Sequence, residues 1–493
     1  MKRIILSLTM GILLLSTVGC GGDELDINTN PNTPVDVPKE YYISAGQASI
    51  VNTVGGELNN LGSFWAQYYT QSTGSSQYQA YEEYNIDASA SNDVWNELYA
   101  GALNDLQYVI TESDKTGDTS SKLVASLMQA YAFQILIDLF GKVPYSEFGQ
   151  SQYPKYDEGE TVYPALIKKI DEAVAAYKAN PSSNNLAKYD MIYKGDMTKW
   201  VQFANTLKLK LYLRMAYTSQ ADATKVKALL AENNFILADA GFKDIYADTG
   251  GKMNPFYSVN ISGDGFNGVN HVASSSLLKF LEENGDIRIA TKYKKNSTGA
   301  YFSMPQGAKG QSAYKSLLIG SFSTPNISAK TPVYIFTLAE SKFLQAEADI
   351  RYNGGSNAKT LYNEGVKASF VTEGLTGTDA TSLLASGGNY ELTLTGVVET
   401  DIEKIMIQKW VALANYNAIE GFFEANRTHY PKMEVYTSGT DYKKGRLTYS
   451  LISVIQAEKS PKSLYYAAGS INTNPNAPKQ KTGLTEKVWW DLK

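Results

Sequence analysis

Side chains capable of covalent chemistry are scarce in this chain. Cys20 is the sole cysteine, and the two histidines are His271 and His429. Neither histidine belongs to an HExxH motif, and no further cysteine exists to help hold zinc. There is no GxSxG nucleophile elbow. Gly141-Lys142 and Gly251-Lys252 lack the upstream glycine that a phosphate-cradling P-loop requires. Gly263-Asp264-Gly265-Phe266-Asn267-Gly268 satisfies GxGxxG in letter. A dinucleotide site also needs a buried strand before it and a helix opening at once after it, and Asp264 would set a carboxylate against the pyrophosphate. The expectation there is a turn-rich surface loop. Asn260, Ser262 and Asp264 alternate as in half a calcium loop, but His271 stands where that loop needs Glu, so no metal is assigned. Glu82-Glu83 and Glu282-Glu283 are adjacent carboxylates, which point to different faces of a helix and make poor acid/base pairs. The chain therefore reads as a binding protein with no catalytic residue and no cofactor. The alternatives are a surface glycoside hydrolase, whose two carboxylates folding would have to bring together, and a structural or adhesion protein.

Cys20 has a different chemistry in prospect. Lys2 and Arg3 open the chain, Ile4 to Val18 is mostly apolar, and Thr17-Val18-Gly19 leads into the cysteine. Polarity then flips to Gly21-Gly22-Asp23-Glu24. That is the layout of a secretory signal peptide over residues 1–19, ending in a cysteine placed for cleavage and acylation, with Thr17 where a lipobox more usually has Leu. A chain so processed is held to a membrane by lipid, each buried methylene contributing about 0.8 kcal/mol. No later stretch approaches the ~20 consecutive apolar residues of a spanning helix. With no second cysteine, packing rather than disulfides must stabilise the fold.

Loss of Lys2 and Arg3 would leave 43 basic against 50 acidic residues, a net charge near −7. This argues against a nucleic-acid partner, which would need a basic surface. The 35 tyrosines, against 17 Phe and 6 Trp, offer flat apolar faces with a hydroxyl, suited to sugar rings and peptides as well as to helix interfaces.

What must position these groups is mainly helical. Turn formers fill 20–40, a tether, and Asn28-Thr29-Asn30-Pro31-Asn32-Thr33-Pro34 returns almost unchanged as Asn472-Thr473-Asn474-Pro475-Asn476-Ala477-Pro478. Apolar residues at three- and four-residue steps predict helices over 41–71, broken at Gly55-Gly56, and over 92–112. Leu123, Leu127, Tyr131, Ile135 and Leu139 mark the clearest stripe, stopped by Gly141. Further helices are predicted over 161–179, 197–218, 222–233, 274–284, 337–352, 356–370 and 399–418. Trp200 and Trp410 lie on apolar stripes and are assigned to the core, while Lys208, Lys210 and Arg214 snorkel or pair. Long irregular stretches remain over 72–92, 241–273, 285–336, 373–398 and 430–485, and loops of such length usually carry function. One domain over 41–493 is expected, with a scaffold over 41–235 and 337–420, ligand-facing segments over 241–336 and 373–398, and a C-terminal segment over 430–493.

Several segments resemble the SusD/RagB family of nutrient-binding outer-membrane lipoproteins. They are Leu139-Phe140-Gly141-Lys142-Val143-Pro144-Tyr145, the run from Trp200 to Leu209 leading to Arg214, and Thr337-Leu338-Ala339-Glu340 with Phe343 to Ala348. Gln408-Lys409-Trp410, Glu420-Gly421 and Asn426-Arg427-Thr428 follow, and the Leu25–Asn32 start and the Lys487-Val488-Trp489-Trp490-Asp491 ending also match. Gly445-Arg446-Leu447-Thr448-Tyr449-Ser450 departs from the family's proline-bearing turn. The resemblance implies a mainly α fold, a scaffold of four tetratricopeptide-like helix pairs with a loop-rich second half packed on it. It implies a non-catalytic lid on a SusC-like TonB-dependent barrel, capturing oligosaccharide or oligopeptide at the cell surface. By the same analogy ligand contacts fall to Trp65, Gln67, Tyr68, Tyr78, Tyr81 and Asn85 in the first half, and Phe256, Tyr257, Asn267 and Tyr301 in the second. Arg427 is expected to form a structural ion pair or cap.

Overall fold

The first helical stretch divides at Gly56, as its two glycines lead one to expect. In the computed structural model, which describes residues 37–183, 185–435 and 442–493, α1 spans Lys39–Gly55 and α2 spans Glu57–Trp65. The candidate signal peptide, Cys20 and most of the tether lie outside the described residues. Residues Lys39–Lys493 form one compact unit.

The predicted helix through residue 71 stops short. Gln67 adopts a left-handed backbone (φ 58°), and the chain turns into a strand, β1, at Tyr69–Gln71. A helical run through a short π-helical stretch then leads into α3 (Leu103–Thr116). The central element is α4 (Thr119–Phe140). Asp118 accepts a hydrogen bond from the Ser121 amide at its start, and Gly141 takes a left-handed φ of 83° at its end. By length and composition α4 could cross a membrane, yet only Thr119 and Lys122 escape burial. It is the core helix around which the scaffold packs.

Helices α5 (Gly159–Ala179), α6 (Met197–Arg214) and α7 (Ala223–Glu232) continue the series. Asp196 and Asp222 cap the last two, each accepting from the third helical amide. After α8 (Ser275–Asn284), the pair α9 (Leu338–Tyr352) and α10 (Ala358–Thr372) and the pair α11 (Val398–Leu413) and α12 (Ala418–Thr428) complete the frame. Neighbouring helices pack as successive pairs, tetratricopeptide fashion: α3 on α4, α4 on α5, α9 on α10, α11 on α12. The predicted 399–418 helix is α11, which ends earlier, at Leu413, and α12 was not anticipated. Strands are short: β2 (Ala240–Phe242) pairs antiparallel with β4 (Val333–Phe336), β1 antiparallel with β3 (His271–Ala273), and β5 (Lys432–Glu434) parallel with β6 (Arg446–Thr448).

Two apolar clusters fill the interior. One surrounds α4 and includes Trp200; the other surrounds α9 and α11 and includes Trp410, so both tryptophans are core residues. Between the helices runs a belt of buried charge. Lys210 lies 2.7 Å from Glu340 and 3.3 Å from Glu420, while Arg214 meets Asp138 at 3.1 Å, Glu420 at 2.7 Å, and Glu424. Arg427 pairs with Glu347 at 2.7 Å and Glu424 at 2.5 Å. Arg427 is thus the structural ion pair expected of it, and Lys210 and Arg214 pair rather than snorkel. Removing one member of such a network would strand a charge in the interior, at a cost of about 3–5 kcal/mol.

The C-terminal segment is a strap. Trp490 is fully buried and donates its indole N–H to Asp138 Oδ1 at 2.7 Å, and Leu464 N–H donates to the Leu139 carbonyl at 2.8 Å. Both bonds tie the end of the chain to the end of α4.

Candidate functional site

Between that strap and the α2/α12 crossing lies a cleft of about 780 Å³. The crossing depends on Gly62. A Cβ there would run into the backbone of Ala418 and Ile419, so only glycine lets α2 approach the start of α12 this closely. The approach sets Trp65 against Phe422, ring centroids 4.9 Å apart, on the cleft floor. The Trp65 indole N–H donates to the Tyr81 carbonyl at 3.1 Å, which fixes the ring's orientation.

Tyr84, Tyr430 and Tyr449 add aromatic surface; Gln456 and Asn426 add amides. Tyr84 and Tyr430 present little more than an edge, whereas Tyr449 is half-exposed. The tyrosine hydroxyls are held protonated: burial raises the pKa of Tyr84, Tyr430 and Tyr449. They are therefore hydrogen-bond donors as well as acceptors at neutral pH.

Basic groups crowd the same space. Lys432, Lys459, Lys462, Lys487 and Lys493 line it with His429, whereas Glu458 is the single acidic residue among the described residues that do. Lys462 Nζ donates to Asn426 Oδ1 at 3.0 Å and lies 3.4 Å from Asp491 Oδ2. Lys487 Nζ lies 3.4 Å, and His429 Nε2 3.7 Å, from Asp491 Oδ1. Asp491 is buried behind these groups. Burial alone would raise its pKa, but the adjacent His429 ring and the Lys462 and Lys487 charges hold it below the usual carboxylate range. Lys493 Nζ sits 4.3 Å and Lys432 Nζ 5.4 Å from the Tyr430 ring centroid, a cation–π arrangement that holds the ring between them.

Of the residues assigned from the resemblance, Trp65 lies in this cleft and the others fall elsewhere. Tyr68 is completely buried, donating its hydroxyl to the Trp410 carbonyl at 2.7 Å. Gln67 is buried too: its Oε1 accepts from Ser276 Oγ at 2.7 Å and from the Thr448 amide at 2.9 Å. Phe256 is buried beside His271. These three offer no surface to a ligand; they are packing residues, Gln67 and Tyr68 turned inward at the left-handed step and Phe256 by the short helix Pro255–Asn260.

Tyr78 and Tyr81 stack on one another, 5.5 Å apart with planes 16° from parallel, and the Tyr78 hydroxyl donates to Asn260 Oδ1 at 2.6 Å. They belong to an aromatic hub around His271, which also touches Phe64, Tyr69 and Phe256. Burial lowers the His271 pKa to about 3, so the ring is neutral, and its Nε2 meets Asn60 Oδ1 at 2.7 Å. Asn267, exposed and left-handed (φ 51°), edges a separate cavity of about 240 Å³ beside this hub. Tyr257 and Tyr301 are half-buried, the latter beneath Lys295, and Asn85 is exposed. The 263–268 glycine stretch is a turn with Asp264 exposed, as expected.

The cleft's lysines, Tyr430 and Tyr449 were missed because they come from 430–493, and Tyr84 because it lies in the irregular 72–92 stretch; in neither does periodicity distinguish one loop residue from another. The available signal was composition: Lys459, Lys462, Lys479, Lys481, Lys487 and Lys493 make this segment basic in an acidic chain.

No curated protein matches the chain. Its fold is that of solved SusD homologues. One from Bacteroides uniformis is 22% identical, with TM-score 0.73 over 92% of this chain and 100% of that one. A chitin-binding SusD homologue from Flavobacterium johnsoniae is 21% identical, with TM-score 0.72 over 92% and 97%. A SusD/RagB family protein from Bacteroides thetaiotaomicron is 22% identical, with TM-score 0.71 over 93% and 99%. Residues 31–449 match the SusD-like family model described as starch-binding and associating with the outer membrane, and the chain therefore belongs to the SusD-like family.

Proposed function

We propose that this protein captures oligosaccharides at the outer membrane and passes them, as a lid, to a SusC-like TonB-dependent barrel. The observation that carries this is the 780 Å³ cleft with the edge of Trp65 on its floor and half-buried Tyr449 at its side. Its size falls in the range of small-molecule sites. Aromatic faces suit sugar rings, and amides, hydroxyls and ammonium groups suit their hydroxyls. The chitin-binding homologue's name and the family's description point the same way. With Glu458 the sole acidic residue among the described lining, the cleft lacks the flanking carboxylate pair of a glycosidase, which favours binding over hydrolysis. Cys20 acylation would anchor the chain, and the tether would give the lid room to hinge.

Isolation of the full chain from its native outer membrane tests this directly. A large β-barrel should co-purify in fixed ratio, and Cys20→Ser should move the chain into the soluble fraction. Recovery without a barrel, or unchanged membrane retention of the Cys20→Ser chain, would contradict the lid and the anchor respectively.

A further inference from the structure

We infer that the cleft selects acidic oligosaccharides, sugars bearing a carboxylate, over neutral ones of equal length. The inference rests on the cleft being the glycan site and adds the class of ligand. The chain as a whole is acidic, with a formal charge of −5, so a basic cleft runs against its composition. Lys462 and Lys487 share one buried acid, Asp491, and Lys459, on the same cleft wall, forms no ion pair among the described residues. Three ammonium groups with one buried carboxylate between them leave positive charge uncompensated. Glu458 on the rim offsets one charge.

The remaining two lysines are not free of acid but share it with arginine. Lys432 lies 3.0 Å from Glu403, which also holds Arg446 at 2.5 Å. Lys493 pairs with Glu399, which also holds Arg351 at 3.3 Å. Repulsion within the group is visible at Lys462: burial lowers its pKa, and the Lys487 and Lys459 charges lower it further against the pull of Asp491. An anion entering the cleft would relieve that repulsion, whereas a neutral sugar would not. The aromatic floor and edges supply stacking beside the charges, which favours an acidic sugar over a simple inorganic anion.

The test is binding of the full chain to oligogalacturonate and to a maltooligosaccharide of equal length, followed by tryptophan fluorescence or calorimetry at low and high salt. An acidic peptide is the third arm. Oligogalacturonate should bind about tenfold more tightly at low salt, and the gap should narrow at high salt. Lys459→Gln, which removes an exposed charge that forms no ion pair among the described residues but keeps a hydrogen-bonding side chain, should cut the gap about threefold, with the loss falling mainly on the acidic sugar. Lys459→Glu should cut it further. Neutral sugar binding equally well or better would overturn the inference while leaving the glycan-capture function intact. Preference for the acidic peptide over both sugars would also overturn it. Binding of no sugar at all would refute the glycan function, and the inference with it.

Discussion

Glu82 is a fully buried carboxyl in the segment that separates the cleft from the aromatic hub. It accepts hydrogen bonds from the Thr70 hydroxyl, the Gln71 amide at 3.0 Å and Gln306 Nε2 at 2.9 Å. Burial nevertheless raises its pKa from 4.5 to about 7, against the opposing pull of those donors. The folded state thus holds this proton more tightly than the unfolded chain. Its stabilising contribution is complete below about pH 4.5 and is lost as pH rises through 7, amounting to about 3 kcal/mol at most. His271 acts in the opposite sense: with its pKa lowered from 6.5 to about 3, it favours the fold above 6.5 and opposes it as the solution becomes more acidic. Glu82→Gln isolates the first effect. Its stability relative to the parent, measured by urea unfolding, should rise as pH increases from 4.5 to 7.5, and a pH-independent difference would refute the assignment. At this scale the chain was unevenly legible. Trp200 and Trp410 were placed correctly because helical spacing puts them on inward faces, and Arg427 because of the motif it sits in rather than any apolar spacing. Gln67 and Tyr68 were not, because one left-handed residue turns them inward and nothing in the local pattern announces it.

The helices were largely readable because their ends carry chemistry as well as periodicity: Asp118, Asp196 and Asp222 at N-termini, Gly141 at a C-terminus. α12 escaped because its inward face carries Glu420, Glu424 and Arg427, which a hydrophobic pattern counts as outward. Those same charges join it to α6, α9 and α11. The α2/α12 contact makes a sharper prediction. Gly62→Val would push against the Ala418–Ile419 backbone, which cannot yield as a flexible side chain would. A loss of about 2–3 kcal/mol or more in unfolding free energy is expected. Trp65 and Phe422 should separate with the helices, so glycan affinity should fall in whatever fraction remains folded. A variant with parental stability would show that the close approach is not required.

At the scale of the molecule, helix pairs around α4 make a rigid frame, and the last sixty residues strap across it to roof the cleft. Most of the tyrosines settle into interfaces, as at the hub and against Trp410; few remain for a ligand. That division explains why family and fold were legible while the site was not. The frame repeats apolar spacing along the chain. The cleft is assembled from α2, α12, the β5/β6 pair and the chain terminus, far apart in sequence and joined only by folding. The most direct measurement is a crystal structure of the full chain with a bound oligosaccharide. Sugar should occupy the cleft beside Trp65 and Tyr449, within reach of Lys459 and Lys487. Sugar bound at the Asn267 cavity or elsewhere, with the cleft vacant at saturating ligand, would contradict the account.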